Sequence, residues 1–421
     1  MFENLSILFF LTLLCVVIAR VDAYYFGTYA TPSILLLAPF TAVVGAHLLV
    51  ADILGFAELH AGLIGVWTIG TIVFWATGHA LRYLIVGAGS LPGRVDVSAT
   101  KQTLITFWSV AGGLVSILLL VHAYRVLQTL GGLNALASPS FLEEWGFGWP
   151  AHVRVLVMVI LIMVIGSTRR WTPLIVGGVA LMFSVILLYQ SKGALLAPLI
   201  AGGLYRIVTG VYVPKIRDFA LAIAGSFILF QLIYLVGWAS LDPESLLKSD
   251  VYIFFSLHFM SYLFAGILGF SESLRHGTTW LNADGLVLFA PMWNIVAAAF
   301  DRPLILVAEL AQDHYVEIAR HGVGSNVNTL FGTIWLVVGP IYGLCVVVIL
   351  ALACHCMLLV IKLLSNRWLV VAYSYWGGLL VFGWFEYYFW LLVSLEIPVI
   401  CVCLAIAEFC LHPARERAPL S

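Results

Sequence analysis

Apolar runs of about 18 residues or more recur along nearly the whole chain, each long enough to cross roughly 30 Å of hydrocarbon as a helix. They predict spans at about 5–22, 31–53, 61–83, 102–124, 151–168, 172–190, 194–212, 217–239, 338–362, 368–387 and 389–411. Two further apolar stretches, 251–270 and 285–300, are re-entrant or cross as a pair. The expected fold is therefore an all-α polytopic membrane protein with about 11 transmembrane helices, and up to 13. The short alternating segments of a β-barrel are absent. Polar positions crowd into one interval, 240–337, which reads as a large extracytoplasmic loop region within a single integral membrane domain 1–421. Irregular backbone at bilayer depth must be buried in protein or line water, so this interval is where chemistry is expected.

Composition agrees with the pattern: 62% of the 421 residues are hydrophobic and 10% are charged, against about 25% charged in soluble proteins. The first apolar run lacks a basic leader, since Glu3 is the one charge before it, and a second apolar segment follows; it reads as a retained span. With the amino terminus outside, 13 of the 20 Lys and Arg residues collect on the cytoplasmic connections. The other face keeps Arg125, Arg154, Lys192, Lys248, Arg275, Arg302 and Arg320, spread over longer connections. A lone crossing at 251–270 would move Arg169, Arg170, Lys215 and Arg217 outside, which disfavours it. Glu143-Glu144-Trp145 suggests an interfacial aromatic belt. Cys354-His355-Cys356 cannot converge on one ion, because adjacent helical positions point about 100° apart; its cysteines read as buried small residues.

Three features could carry chemistry. Lys192 lies in Tyr189-Gln190-Ser191-Lys192-Gly193, a tight outer turn between two spans, while Arg125 and Arg154 flank the preceding loop. If these converge with Arg275, Arg302 and Arg320 they form a cationic pocket for phosphate or pyrophosphate; taken singly, each is an ordinary snorkelling cation. Asp313, Glu317 and Arg320 or His321 recur at helical spacing, which predicts a short interfacial helix. Either it is a solvated amphipathic helix, or His321 or Glu317 is a general base for a sugar hydroxyl. Gly322-Val323-Gly324-Ser325-Asn326-Val327-Asn328-Thr329 combines small residues with amides suited to saccharide hydroxyls, and Asn326 or Asn328 is also a candidate N-cap for the helix starting near Thr329. Polar groups within or beside the spans are His47, Asp52, Glu58, His60, His79, His122, Glu386, Glu396 and Glu408. Glu386, set among aromatics, could line the same cavity. No recognised metal-ligand spacing appears.

Ser191-Lys192-Gly193-Ala194-Leu195, the long interval from Ser240, and Asn326-Val327-Asn328-Thr329-Leu330-Phe331-Gly332 running on to Gly339-Pro340-Ile341-Tyr342-Gly343 resemble the Wzy-type O-antigen and oligosaccharide repeat-unit polymerases, to which O-antigen ligases are related. The resemblance covers roughly the second half of the chain. Lys192 stands where that family usually has Arg, keeping the charge but losing the bidentate fork. Gly324-Ser325 precedes Asn326 where ligases have a histidine, which favours polymerase over ligase. The resemblance implies a metal-independent, cofactor-free glycosyltransferase of C-type membrane architecture on the outer face of a bacterial inner membrane. It would move a chain en bloc from undecaprenyl pyrophosphate onto a lipid-linked repeat unit, with a chain-length regulator as a candidate partner, and would bind no nucleic acid. On that expectation Lys192, Arg125, Arg154, Arg275, Arg302 and Arg320 face pyrophosphate, His321 or Glu317 is the base, and Asn326, Asn328 and Glu386 hold sugar. A flippase or carrier of lipid-linked sugars is the alternative from another class.

Overall fold

The computed structural model describes residues 2–411 except 94, 96, 98–99, 190–191, 242–243, 245, 247, 278–283, 308–314 and 321. Among the described residues, eight helices are long and apolar enough to cross a membrane, and the chain is an α-helical polytopic membrane protein. Three expected spans are shorter as apolar helices: 172–190 is Pro173–Leu187, and the apolar cores of 194–212 and 217–239 are Leu195–Val208 and Ala220–Leu235. The stretch 251–270 is no re-entrant loop but the middle of one 27-residue helix, Ser249–Arg275.

The helices in chain order are α1 (Phe2–Phe26), α2 (Pro32–Leu54), α3 (Ala61–Val86), α4 (Gln102–Thr129), α5 (Pro139–Gly146), α6 (Gly148–Ser167), α7 (Pro173–Leu187), α8 (Lys192–Val208), α9 (Ile216–Leu241), α10 (Ser249–Arg275), α11 (Ala290–Ala299), α12 (Leu330–Leu364), α13 (Arg367–Val381) and α14 (Val393–Leu411). Two short strands, β1 (Val316–Ala319) and β2 (Val323–Ser325), precede α12. The chain forms two compact units: Met1–Arg94 with Ile253–Lys362 and Trp376–Leu395, and Val95–Tyr252 with Leu363–Tyr375 and Glu396–Ser421.

The second unit is built from regular helices meeting at small residues. Along α4 and α7, a Cβ on Gly178 would come 2.3 Å from the Ser109 carbonyl oxygen, so only glycine lets the backbones approach this closely. Gly166 and Gly202 do the same for α6 and α8 against Tyr205 and Ile165. Arg206 donates to the Thr168 carbonyl at 2.6 Å, satisfying the carboxyl end of α6. In the first turn of α9, the Tyr212 hydroxyl and the Lys215 amide hold the half-buried Asp218 carboxyl below its ordinary value. Trp145 is fully buried, parallel to Phe141, rather than in an interfacial belt; α5 is amphipathic and turns both rings inward.

The first unit is irregular. Thr329 caps α12 by accepting the Gly332 amide at 3.0 Å; the hydroxyl, not Asn326 or Asn328, takes the role expected of an amide there. After nine residues Gly339, at φ 73°, and Pro340 break the helix. The two arms then fold against each other: a Cβ on Gly343 would lie 3.4 Å from Ile334, and Phe331 and Val347 line one apolar hollow with Gly70. Along a straight helix those pairs would be about 13 Å and 24 Å apart. The expected span at 338–362 is thus the long arm of a helical hairpin whose short arm, 330–338, packs on Gly70 and Trp67 in the middle of α3. Beyond α13, residues 382–392 leave α-helix for two 3₁₀ turns before α14, within the run read as spans 368–387 and 389–411.

Candidate functional site

The irregular backbone of the first unit gathers on one helix. On α10, Gly266 and Gly269 leave a bare strip: a Cβ at Gly269 would come 2.1 Å from the Val327 carbonyl oxygen, and one at Gly266 2.3 Å from that of Phe385. Non-helical segments 325–329 and 382–387 can therefore lie against the helix, with their polar groups satisfied by side chains rather than by lipid. Ser325 donates to the Ala265 carbonyl at 3.1 Å and receives the Val327 amide at 3.2 Å. The buried Asn328 side chain accepts the Ser273 hydroxyl at Oδ1, 3.5 Å away. Thr333, on the short arm of α12, places its hydroxyl 3.3 Å from both the Asn328 backbone oxygen and Glu386 Oε1. Glu386 also accepts the Tyr387 amide at 2.9 Å, while the Tyr387 hydroxyl donates to Leu288 at 3.0 Å. The result is a buried seam of Ser273, Asn328, Thr333 and Glu386. Nothing in lipid could hydrogen-bond these groups, so they must pair with each other or with a polar ligand.

At one end of this region the connector between α2 and α3 bonds the Arg275 guanidinium and the Arg320 main chain. Gly55 accepts the Arg320 amide and Ala57 donates to Ile318, adding the connector to the β1–β2 hairpin through a Phe56–Ala319 bridge. Three residues on, the Glu58 carbonyl accepts the Arg275 guanidinium at 2.8 Å, and the His60 amide donates to Ser271. Three virtual bonds of about 3.8 Å bound the separation of the Gly55 and Glu58 α-carbons at about 11 Å. Arg275 and Arg320 are thus brought to one short connector.

Of the other predicted groups in this unit, Glu317 is exposed on β1 and accepts the Gly322 amide at 3.2 Å. The described part of 313–321 is not helical but a hairpin strand, paired antiparallel with Val316 opposite Ser325. Its physical cause is the alternation of Val316, Ile318 and Val323 with a turn at Gly322, whose φ of +72° a helix cannot use. Asp313, His314 and the predicted base His321 lie outside the described residues. Arg302 is exposed just beyond α11, and Asn326 is half-buried.

Two predicted pyrophosphate ligands are already engaged. Arg275 forms an ion pair with the buried Glu272 as well as the Glu58 bond, because the three groups meet where α10 ends. Arg154, in the second unit, is buried at the start of α6: it donates to the Trp145 carbonyl at 2.9 Å and stacks 4.0 Å over Tyr189. Arg125 is exposed on α4, and Lys192 opens α8 with its side chain outside the described residues. Cys354 is buried but Cys356 is exposed, since neighbouring helix positions face apart; only the first matches the expected buried pair.

Reading the sequence passed over Ser273, Thr333 and Glu272, small or ordinary residues that matter through glycine-permitted closeness. It also passed over Asp22, a lone acid at the end of an apolar run. At the seam a carboxyl, an amide and hydroxyls bond one another, and the α2–α3 connector at one end carries the Arg275 guanidinium and the Arg320 main chain. A model built for a family of unknown function, DUF6337, matches residues 55–410. The chain belongs to the DUF6337 family. No curated protein and no solved structure matches it. The DUF6337 match takes in the seam, the hairpin and the connector from its first residue, and leaves α1 and α2 outside.

Proposed function

We propose that this DUF6337 protein is a membrane-embedded glycosyltransferase that polymerises lipid-linked oligosaccharide repeat units into a surface polysaccharide, working at the extracytoplasmic face of a bacterial inner membrane. The observation that carries the reading is the pairing of a buried polar seam with Arg275 and Arg320 on one connector. A substrate that is part sugar, part diphosphate and part hydrocarbon needs such a meeting of hydroxyl-binding groups and cations inside an apolar body. Arg320, whose side chain is exposed beside the connector, is the residue assigned to diphosphate. Arg275, held by Glu272 and Glu58, sets the connector's position. Asn328, Thr333 and Glu386 order the wall against which the acceptor sugar lies, and the base is Glu317 or His321.

The test is made in liposomes carrying the purified protein and lipid-linked repeat units alone. The intact chain yields a ladder of long products, and Arg320→Ala lowers long-chain product on the order of a hundredfold, the scale of removing one charge-stabilising donor. Failure of the intact protein to lengthen any repeat unit, or an unchanged ladder in Arg320→Ala, overturns the assignment. A carrier of lipid-linked sugars is the second reading, favoured by a buried Asp–His pair at the other end of the same unit; it would show substrate crossing the liposome wall with no new glycosidic bond.

A further inference from the structure

About 19 residues along α3 from His60, or roughly 28 Å of helix, a second polar cluster lies between α1, α2 and α3. Asp22 is 0% exposed, and three donors converge on its carboxylate. The Thr31 hydroxyl donates to Oδ2, while Trp75 Nε1 at 2.9 Å and His79 Nε2 at 2.8 Å meet at Oδ1. A carboxylate only accepts, so the hydrogen of neutral His79 sits on Nε2 and Nδ1 keeps a free lone pair. His79 is buried among Tyr25, Phe26 and Trp75, yet 18% of its side chain remains exposed.

Among the described residues the charged and titratable neighbours are few. One turn along α3, Arg82 donates from Nε to the Tyr25 carbonyl at 3.3 Å, lies over the Tyr25 ring, and has no partner for its buried Nη2. From α12, His355 places Nδ1 2.9 Å from the Ala351 carbonyl and Nε2 3.3 Å from the Ser33 hydroxyl. Its hydrogen is therefore on Nδ1, and its second nitrogen is taken up by serine. On α1, Arg20 is exposed and Tyr25 packs on Arg82. Of the two imidazoles in this cluster, His79 is the one that keeps a ring nitrogen with no hydrogen bond.

We propose that Asp22 and His79 form a proton-binding site, in which His79 Nδ1 takes the proton and α1 responds. The balance is simple: a hydrated proton bonds to the Nδ1 lone pair, the Nε2–H bond to Asp22 stays, and a bond from a neutral imidazole to a carboxylate becomes an ion pair. With both partners charged, their attraction in this buried site strengthens. α1 is the element to feel it, since Phe9, Leu13 and Val17 face outward at 71%, 51% and 48% exposure and Asp22 is its fully buried anchor. Arg82 opposes the added charge and limits the gain.

The experiment uses the full chain in lipid nanodiscs between about pH 5 and 8, the interval in which imidazole ordinarily changes charge. Nitrogen-15 spectra of histidine read which ring atoms carry hydrogen, and amide exchange, corrected for its intrinsic pH dependence, reads residues 20–26. The intact protein gains a hydrogen at His79 Nδ1 on acidification, with about fivefold more protection of residues 20–26. His79→Gln, which keeps a donor for Asp22 but cannot take a proton, abolishes that response while the helix stays docked; Asp22→Asn frees the imidazole to adopt both neutral forms. A His79 ring fixed in one state across the range, or a pH response that survives in His79→Gln, overturns the proposal. Neither result depends on polymer formation.

Discussion

The two compact units solve the same problem, close packing of apolar helices, in opposite ways. In the unit holding α4, α6, α7 and α8, glycines let whole helices touch: Gly178 on Ser109, Gly202 on Ile165. In the other, Gly266 and Gly269 let helix α10 touch backbone that is not helical at all. The first arrangement leaves few polar groups in need of partners. The second creates them, and Ser273, Asn328, Thr333 and Glu386 exist to answer that need. Small residues in a membrane protein thus signal either a helix seam or a site, and the conformation of the opposing segment decides which.

Substituting the glycines tests this most severely. Gly269→Ala and Gly178→Ala each force a methyl within van der Waals radius of a backbone oxygen that cannot rotate away, and each costs on the order of 3 kcal/mol. Hydrogen exchange separates them: Gly269→Ala loses protection at 325–329, and Gly178→Ala at 105–116. Loss of protection at both places in either variant would break the contrast between the units. A smaller effect is expected from Glu386→Ala, which leaves the Thr333 hydroxyl and the Tyr387 amide without their carboxylate, about 1–3 kcal/mol of thermal stability. Glu386→Gln keeps an acceptor and recovers most of it; equal losses would mean that the seam is not held by that bond. Arg154→Met is milder, about 2 kcal/mol from the lost Trp145 bond and Tyr189 stack. It leaves the product ladder unchanged, because that guanidinium already has its partners; a shortened ladder would return Arg154 to the substrate.

What could be read from the chain follows from which physical signal each element sends. Hydropathy reports residence in an apolar phase, so α1 to α4, α6 and the long arm of α12 were legible from their runs alone. It carries no direction, and so the doubling back at Gly339-Pro340 was hidden inside one continuous apolar stretch, although the dipeptide itself is a visible breaker. The hairpin was misread for a related reason: Asp313, Glu317 and Arg320 recur at helical spacing, but the apolar alternation of Val316 and Ile318 and the glycines after them decide the backbone. Convergence of distant residues sends no local signal. Glu386 was picked out by its aromatic company, yet Thr333, which fixes it, looks like any helix threonine. Arg275 and Arg320 could be named as outer-face cations, and Glu58 and His60 as polar groups beside the spans, whereas nothing local marks the six-residue link Gly55 to His60 as the connector that brings the two arginines together.

The short arm of α12 also sets an order of events during biosynthesis. Nine residues rise only about 14 Å, too little to be inserted as an independent crossing. Its threonine waits for a carboxylate 53 residues downstream. At about 5–20 residues per second, that partner leaves the ribosome roughly 3–10 seconds later. Throughout that interval the nascent chain must shelter an unfinished polar pocket in the bilayer, which makes this arm the place where a membrane chaperone or a slowed codon would matter most.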